Sequence, residues 1–364
     1  MKYFLFLLTF ASLSLSTLSA QTNAELMAEL KAMRSQISNL RHQFDQIDKS
    51  VDDVVWYNKV GDVAFIDKVT LTGPPLGDKK FKATKGNGNP LYYQNPLRIQ
   101  TYLFIPKDID PNKKYPLMVL PHGGVHSNFN SFYAHIIREL VAQQYIVVAP
   151  EYRGSTGYGS GYYRAIDYGG LEVEDVKACR DYMIESYDIV DEKRVGIMGW
   201  SHGGLITLMN LFDYNDDYKV GYAGVPVSDL IARMGYKTQG YRELYSVDYH
   251  IGKSAYQDTE EYKRRSPAWQ ADRLNTPLLV HTNTNDSDVN VLEVEHLIKS
   301  LKAAEKDFEY QIYEDIPGGH TFDRIDTNFA REVRLKIYRF LGAYLNPPKP
   351  FADVKALKKA GYGY

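Results

Sequence analysis

With one cysteine in 364 residues, Cys179, the chain cannot close an internal disulfide, so its stability must come from a packed core. Charge of one sign is lacking too. Lys and Arg number 43 against 45 Asp and Glu, a net charge of −2. That balance excludes the basic footprint selected by nucleic acid or an anionic membrane. No apolar run approaches the roughly 20 residues needed to cross a bilayer as a helix. No His or Cys pattern has metal-ligand spacing, and no glycine-rich phosphate loop of the nucleotide type occurs. The acidic pairs Asp52-Asp53 and Asp216-Asp217 read as solvated charge. The sequence therefore calls for no metal and no cofactor.

What is present is ordinary globular composition, 44% hydrophobic and 24% charged, with an unusual 30 tyrosines. Lys2, the apolar Phe4–Phe10 and the small-residue stretch Ser16-Thr-Leu-Ser-Ala20 read as an export signal cut after Ala20. The expected destination is periplasmic or extracellular, with no membrane span after cleavage. Residues 21–56 form the next unit. Leu26, Leu30, Met33, Ile37, Leu40, Phe44, Ile47, Val51 and Val54 alternate spacings of four and three. This is the seam of a coiled coil, which would make a homo-oligomer, or of a long helix lying on its own domain.

Residues 57–347 read as one α/β domain, and 348–364 as a tail. Strand patterns at Val63–Leu71 and Leu97–Ile105 flank a polar stretch, Ala83–Pro90. Apolar runs at 116–120, 145–149, 194–198, 220–226 and 277–281 then alternate with helical segments near 130–142, 172–187, 202–213 and 291–304. A strand at Phe308–Tyr313 and a helix around 323–345 follow. The alternation predicts an α/β fold, a mainly parallel sheet with helices on both faces.

The chemistry centres on Gly199-Trp-Ser201-His-Gly-Gly204, where an apolar run turns at once into a helical pattern. So sharp a turn strains the apex and leaves no room for a Cβ two positions away. It holds the Ser201 hydroxyl proud of the sheet at a helix N-terminus. Serine needs a base, and the base an orienting acid, in the chain order acid then histidine. Of the nine histidines, His250, His281, His296 and His320 lie beyond the turn. His281 sits in an apolar strand, His296 on an amphipathic helix and His250 in the irregular stretch 230–265. His320 stands in a Gly-rich loop just after the last strand, where a base belongs. Asp286 is the expected acid, with Asp288 the alternative. Oxyanion donors are expected from the N–H of His202 and of Gly123 or Gly124 in Pro121-His-Gly-Gly-Val125; a purely structural turn is the competing reading of that loop.

Together these pieces resemble the catalytic domain of the prolyl oligopeptidase family of serine hydrolases, an α/β-hydrolase fold, over about residues 97–345. The likeness rests on His122-Gly-Gly, Glu151-Tyr-Arg-Gly-Ser-Thr-Gly-Tyr-Gly159, Glu174-Asp175, the Ser201 turn, Ser266-Pro267, Thr276–Val280, Asp286-x-x-Val289 and Gly319-His320. It implies the triad Ser201, Asp286 and His320. Val125 departs from the usual proline. His122 stands where some family peptidases place an oxyanion tyrosine. The acid loop runs one residue long. Well-known members carry a β-propeller, whereas here the heptad helix takes the N-terminal position, and no counterpart of the dipeptidyl peptidases' amine-binding carboxylates is identifiable.

Tyr158, Trp200, Tyr236 and Tyr241 are candidate pocket residues, the last two in the 230–265 stretch expected to cover the site. The expected activity is hydrolysis of short peptides through an acyl-enzyme. An esterase on the same machinery and an inactive scaffold are the alternatives.

Overall fold

The strands at Tyr115–Val119, Ile146–Glu151 and Val220–Gly224 are buried along their whole length. Continuous apolar runs require this when both faces of a sheet are covered. The computed structural model describes the backbone of residues 2–74 and 97–362, and side chains over 23–74 and 97–361. The polar stretch Ala83–Pro90 and the side chains of the expected export signal lie outside the described residues.

In chain order the elements are α1 (Lys2–Val60), β1 (Ala64–Thr72), β2 (Arg98–Pro106), β3 (Tyr115–Val119), α2 (Ala134–Ala142), β4 (Ile146–Glu151), α3 (Gly159–Tyr163) and α4 (Leu171–Ser186). Next come β5 (Val190–Trp200), α5 (His202–Asp213), β6 (Val220–Gly224), α6 (Leu230–Tyr236), α7 (Gln239–Ser246) and α8 (Thr259–Arg264). The chain then runs through β7 (Leu278–Asn283), α9 (Val291–Ala303), β8 (Phe308–Tyr313), α10 (Asn328–Leu345) and α11 (Val354–Tyr362).

The sheet order is β1-β2-β4-β3-β5-β6-β7-β8. Strand β2 pairs antiparallel with both β1 and β4, and every other pairing is parallel. Strand order reverses between β3 and β5, and ligands of open α/β sheets gather outside the carboxyl ends at such a point. The pleat sends alternate residues to opposite faces. Leu117 and Val119 of β3 join a core with α4, α5 and α9. Met118 and Leu120 join a second core with α2, α10 and the end of α1 through Trp56 and Val60.

Two stretches differ from expectation. The cover at 230–265 contains three short helices, α6 to α8. The expected tail carries α11, whose Leu357 is fully buried and whose Ala360 carbonyl accepts from Arg138 Nε at 3.2 Å. Its apolar spacing is too short to separate a docked helix from a frayed end.

A buried ion pair ties α10 to α2. Arg334 donates to both oxygens of Glu139 at 2.9 Å, Tyr338 adds a hydroxyl donor at 2.7 Å, and Arg334 Nη1 reaches the Asp323 carbonyl at 2.8 Å. Removing one partner strands a charge in the core. Arg334→Met should lower stability by about 3–5 kcal/mol, read as the urea unfolding midpoint, and adding Glu139→Gln should restore part of it. An unchanged midpoint in the single variant would show the pair to be energetically idle.

Candidate active site

Ser201 sits between β5 and α5 at φ 60°, ψ −120°. A non-glycine residue is held there only when its surroundings over-determine it. They do. Ser201 N–H donates to Gly224 O at 3.0 Å, while its carbonyl accepts from Val227 and Leu205 N–H at 3.1 Å each. A Cβ at Gly199 would stand 2.4 Å from Gly203 O, and one at Gly203 2.4 Å from Pro121 O. The glycines are therefore required by close approach.

His320 follows β8 in a turn opened by Gly318 at φ 102°, a left-handed value that favours glycine. Its Nδ1 lies 2.7 Å from Asp286 Oδ2. The other oxygen, Oδ1, accepts from the N–H groups of Asp288 and Val289 at 2.8 and 2.9 Å, which fixes the carboxylate toward the ring. Asn283 Nδ2 binds the Gly319 carbonyl at 2.9 Å and ties the two loops together. Asp288 is held mainly by cations of the cover. Lys237 Nζ holds it at 2.6 Å and Arg233 Nη2 at 3.4 Å. Burial raises its carboxyl, but these cations outweigh that and hold it below the usual range. Asp288 Oδ2 also stands 3.6 Å from His320 Nε2. Among the described residues no hydrogen bond joins Ser201 Oγ to that nitrogen. Such bonds are often long without substrate and tighten in the reactive complex.

What brings elbow and histidine loop together is Asp323, which the sequence reading missed. Its Oδ2 accepts from Trp200 Nε1 at 2.6 Å and from the Tyr222 hydroxyl at 2.8 Å. Arg324 lies 5.3 Å over the Trp200 ring. A buried indole N–H beside Ser201 needs an acceptor, and that was the available signal. Trp200 is wholly buried and so anchors the elbow instead of lining a pocket.

The loop after β3 presses on the same point. A Cβ at Gly123 would lie 3.0 Å from Trp200 O and 3.4 Å from Ser201 Cβ. Gly123 N–H donates to the Tyr133 hydroxyl at 3.2 Å, and Gly124 adopts φ 80°. His202 is the first residue of α5, so its N–H has no acceptor within the helix. Tyr152 clamps the loop by donating to the carbonyls of His122 and Gly124 at 2.9 and 3.0 Å. His122 Nε2 meets Ser155 Oγ at 2.9 Å and Glu151 Oε2 at 3.4 Å.

Behind this loop lies a second missed group. Lys49 of α1 reaches inward to Glu151 Oε1 at 2.7 Å and to the Phe129 carbonyl, and both side chains of the ion pair are buried. Burial raises the Glu151 carboxyl, but Lys49 and His122 outweigh it and hold it at about 2. Arg153 similarly grips Asp175 by two side-chain bonds of 2.8 and 2.7 Å, so the Arg-Gly-Ser loop and the Glu-Asp pair are scaffold.

The remaining pocket candidates are polar-bonded. Tyr158 donates to Glu151 at 3.1 Å. Tyr241 and Tyr236 hydroxyls accept from Arg233 at 2.8 and 3.0 Å, and Arg233 pairs with buried Glu293 at 2.9 Å. These rings brace the cover against the acid loop. Of the other histidines, His281 is buried in β7, His296 bonds Asp229 at 2.6 Å, and His250 is buried with Nε2 2.9 Å from His126 Nε2.

A serine elbow after β5, an Asp–His pair after β7 and β8, and a glycine loop after β3 define an α/β-hydrolase catalytic domain. The chain belongs to the prolyl oligopeptidase family, whose profile matches residues 130–348. It is 30% identical over 213 residues to the uncharacterized peptidase YuxL of Bacillus subtilis (strain 168), covering 58% of this chain and 32% of that protein. It is 32% identical over 222 residues to dipeptidyl peptidase 8 of Mus musculus, covering 58% and 24%. The chain thus spans no more than a third of the length of these two relatives. Porphyromonas gingivalis dipeptidyl peptidase 4 is similar in fold, with TM-score 0.60 at 22% identity over 78% of this chain and 36% of that one. Pyrococcus horikoshii acylaminoacyl peptidase gives TM-score 0.64 at 18% identity, over 83% and 46%.

Lys49→Met should cost about 3–5 kcal/mol by leaving Glu151 buried without its cation, whereas Lys49→Arg should retain most of the stability. Glu151 is depressed from an ordinary 4.5 to about 2, so its stabilising effect is full above about pH 4.5 and fades as pH falls toward 2. In Lys49→Met this acid-side loss should begin at higher pH. Identical pH-unfolding curves for parent and variant would contradict the pairing.

Proposed function

We propose that the chain is a serine peptidase that cleaves amide bonds of short peptides, with Ser201 as nucleophile, His320 as base and Asp286 as its orienting acid. The observation that carries this reading is the Asp286–His320 hydrogen bond of 2.7 Å at the sheet rim that also bears the strained Ser201, in a chain of a peptidase family. Ser201 Oγ attacks the carbonyl carbon as His320 Nε2 takes its proton, and a tetrahedral oxyanion forms. The N–H groups of His202 and Gly124 receive that charge, because the Gly123 N–H is already bonded to the Tyr133 hydroxyl. His320 then delivers its proton to the leaving amine, the acyl-enzyme remains, and water repeats the cycle. The reaction requires His320 Nε2 to face Ser201 Oγ while Nδ1 stays bonded to Asp286.

The named relatives are peptidases or peptidase-like proteins, which favours amides over esters as substrates. Lys2, the apolar segment and Ala20 support export, and no helix among the described residues is long and apolar enough to cross a membrane.

Ser201→Ala and His320→Ala should abolish turnover of peptidyl anilides, and Ser201→Ala should abolish fluorophosphonate labelling. Asp286→Asn should lower kcat by roughly four orders of magnitude through a mis-set imidazole, and Asp288→Asn by no more than about tenfold. The reverse ranking would transfer the acid's role to Asp288. Turnover of short-chain aryl esters with none of any anilide would replace the peptidase by an esterase.

A further inference from the structure

Helix α1 has two faces, and the domain covers only one. Its contacts with the domain begin at His42 and continue through Asp45, Lys49, Asp52 and Trp56 to Val60. Along this stripe Lys49 pairs with Glu151, Asp52 accepts from Ser131 N–H at 3.0 Å, and Trp56 stacks on Phe129 at 5.3 Å between centroids. The heptad seam lies on the opposite face. All nine of its apolar side chains, Leu26 through Val54, are 40–70% exposed. From residue 23 to 41 every side chain of the helix is exposed, so an arm of roughly 28 Å touches nothing else. A single amphipathic helix in water is marginal without tertiary cover.

We propose that this face binds its counterpart on a second copy of the chain as a parallel, in-register, two-stranded coiled coil, independently of the catalytic reading above. The register follows from the spacing: Leu30, Ile37, Phe44 and Val51 occupy a, while Leu26, Met33, Leu40, Ile47 and Val54 occupy d. Branched Ile37 and Val51 at a, with Leu26 and Leu40 at d, favour a two-stranded parallel arrangement. In that register Glu29 at g faces Arg34 at e of the second copy, an attraction that symmetry forms twice. Nine large side chains at about half exposure present roughly 800 Å² per chain, the share each partner contributes to a standard stable interface. A lipid surface fits less well. Between residues 23 and 41 the charges are Glu25, Glu29, Lys31, Arg34 and Arg41, without the Lys- and Arg-rich polar face of an interfacial helix.

The test is the mass of the purified full chain by size exclusion with light scattering at micromolar concentration, beside Ile37→Lys/Leu40→Lys and Leu40→Cys. Two chain masses are expected for the parent and one for the double-lysine variant, which should retain circular dichroism of a folded domain because neither residue touches it. Leu40→Cys should oxidise to a covalent dimer that reductant reverses, since d faces d only in the parallel register and Cys179 is buried. A parent of one chain mass would overturn the proposal, and co-flotation of that monomer with anionic vesicles would give the seam to lipid. A dimer that survives the double-lysine change, or one in which Leu40→Cys fails to cross-link, would overturn it equally.

Discussion

The left-handed backbone of Ser201 is the constraint from which the rest of the arrangement follows. A strained residue of this kind costs about 1–3 kcal/mol, and the structure offsets it with three backbone hydrogen bonds that draw on β6, the loop after it and the first turn of α5. The constraint then propagates through contact. Gly203 must lie against the Pro121 carbonyl, so the loop after β3 is brought to the serine. Trp200 must turn its indole inward, so an acceptor has to come from elsewhere, and Asp323 supplies it from the segment carrying His320. The position of the histidine is thus coupled to the conformation of the serine through the core, even though no direct hydrogen bond joins them.

A chain without disulfides has fixed these loops with buried ion pairs instead. Lys49–Glu151, Arg153–Asp175, Arg233–Glu293 and Arg334–Glu139 each link elements distant in sequence, and each carboxylate is wholly buried. Desolvation consumes most of what such pairs gain by attraction, so their net contribution to stability is small. Their geometric effect is larger. A buried charge tolerates no arrangement in which its partner is missing, and three of the four border the loops that present His122, Asp288 or His320.

This explains what could be read from the residues alone. Strand β8 spans the residues its alternation predicts, and the elbow falls where the glycine spacing puts it, because both are set by neighbours within a few positions. The positions of Asp286 and His320 were legible for the same reason: Asp286 follows a strand visible by its apolar run, and His320 one visible by its alternation. Lys49 and Asp323 were not legible. A lysine on the polar side of a heptad helix reads as solvated, and only the fold shows that Glu151 waits beneath it. Tyr236 and Tyr241 were only partly legible for a related reason. Composition offers an aromatic cover but does not reveal that Arg233 claims their hydroxyls.

Helix α1 shows the two kinds of information side by side. Its seam is periodic and so was visible in sequence, yet it is the side that the domain leaves exposed. Its docking side reads as a scatter of His42, Asp45, Lys49 and Asp52, with Trp56 and Val60 the only large apolar residues, yet it reaches the loop beside Ser201 through Glu151 and His122. A helix anchored by polar residues must pair every one of them, which fixes its rotation about its own axis more tightly than apolar packing would. With that rotation fixed, the apolar seam has one direction to point, away from the sheet, and α1 is held by the domain from His42 to Val60 while residues 23–41 are exposed.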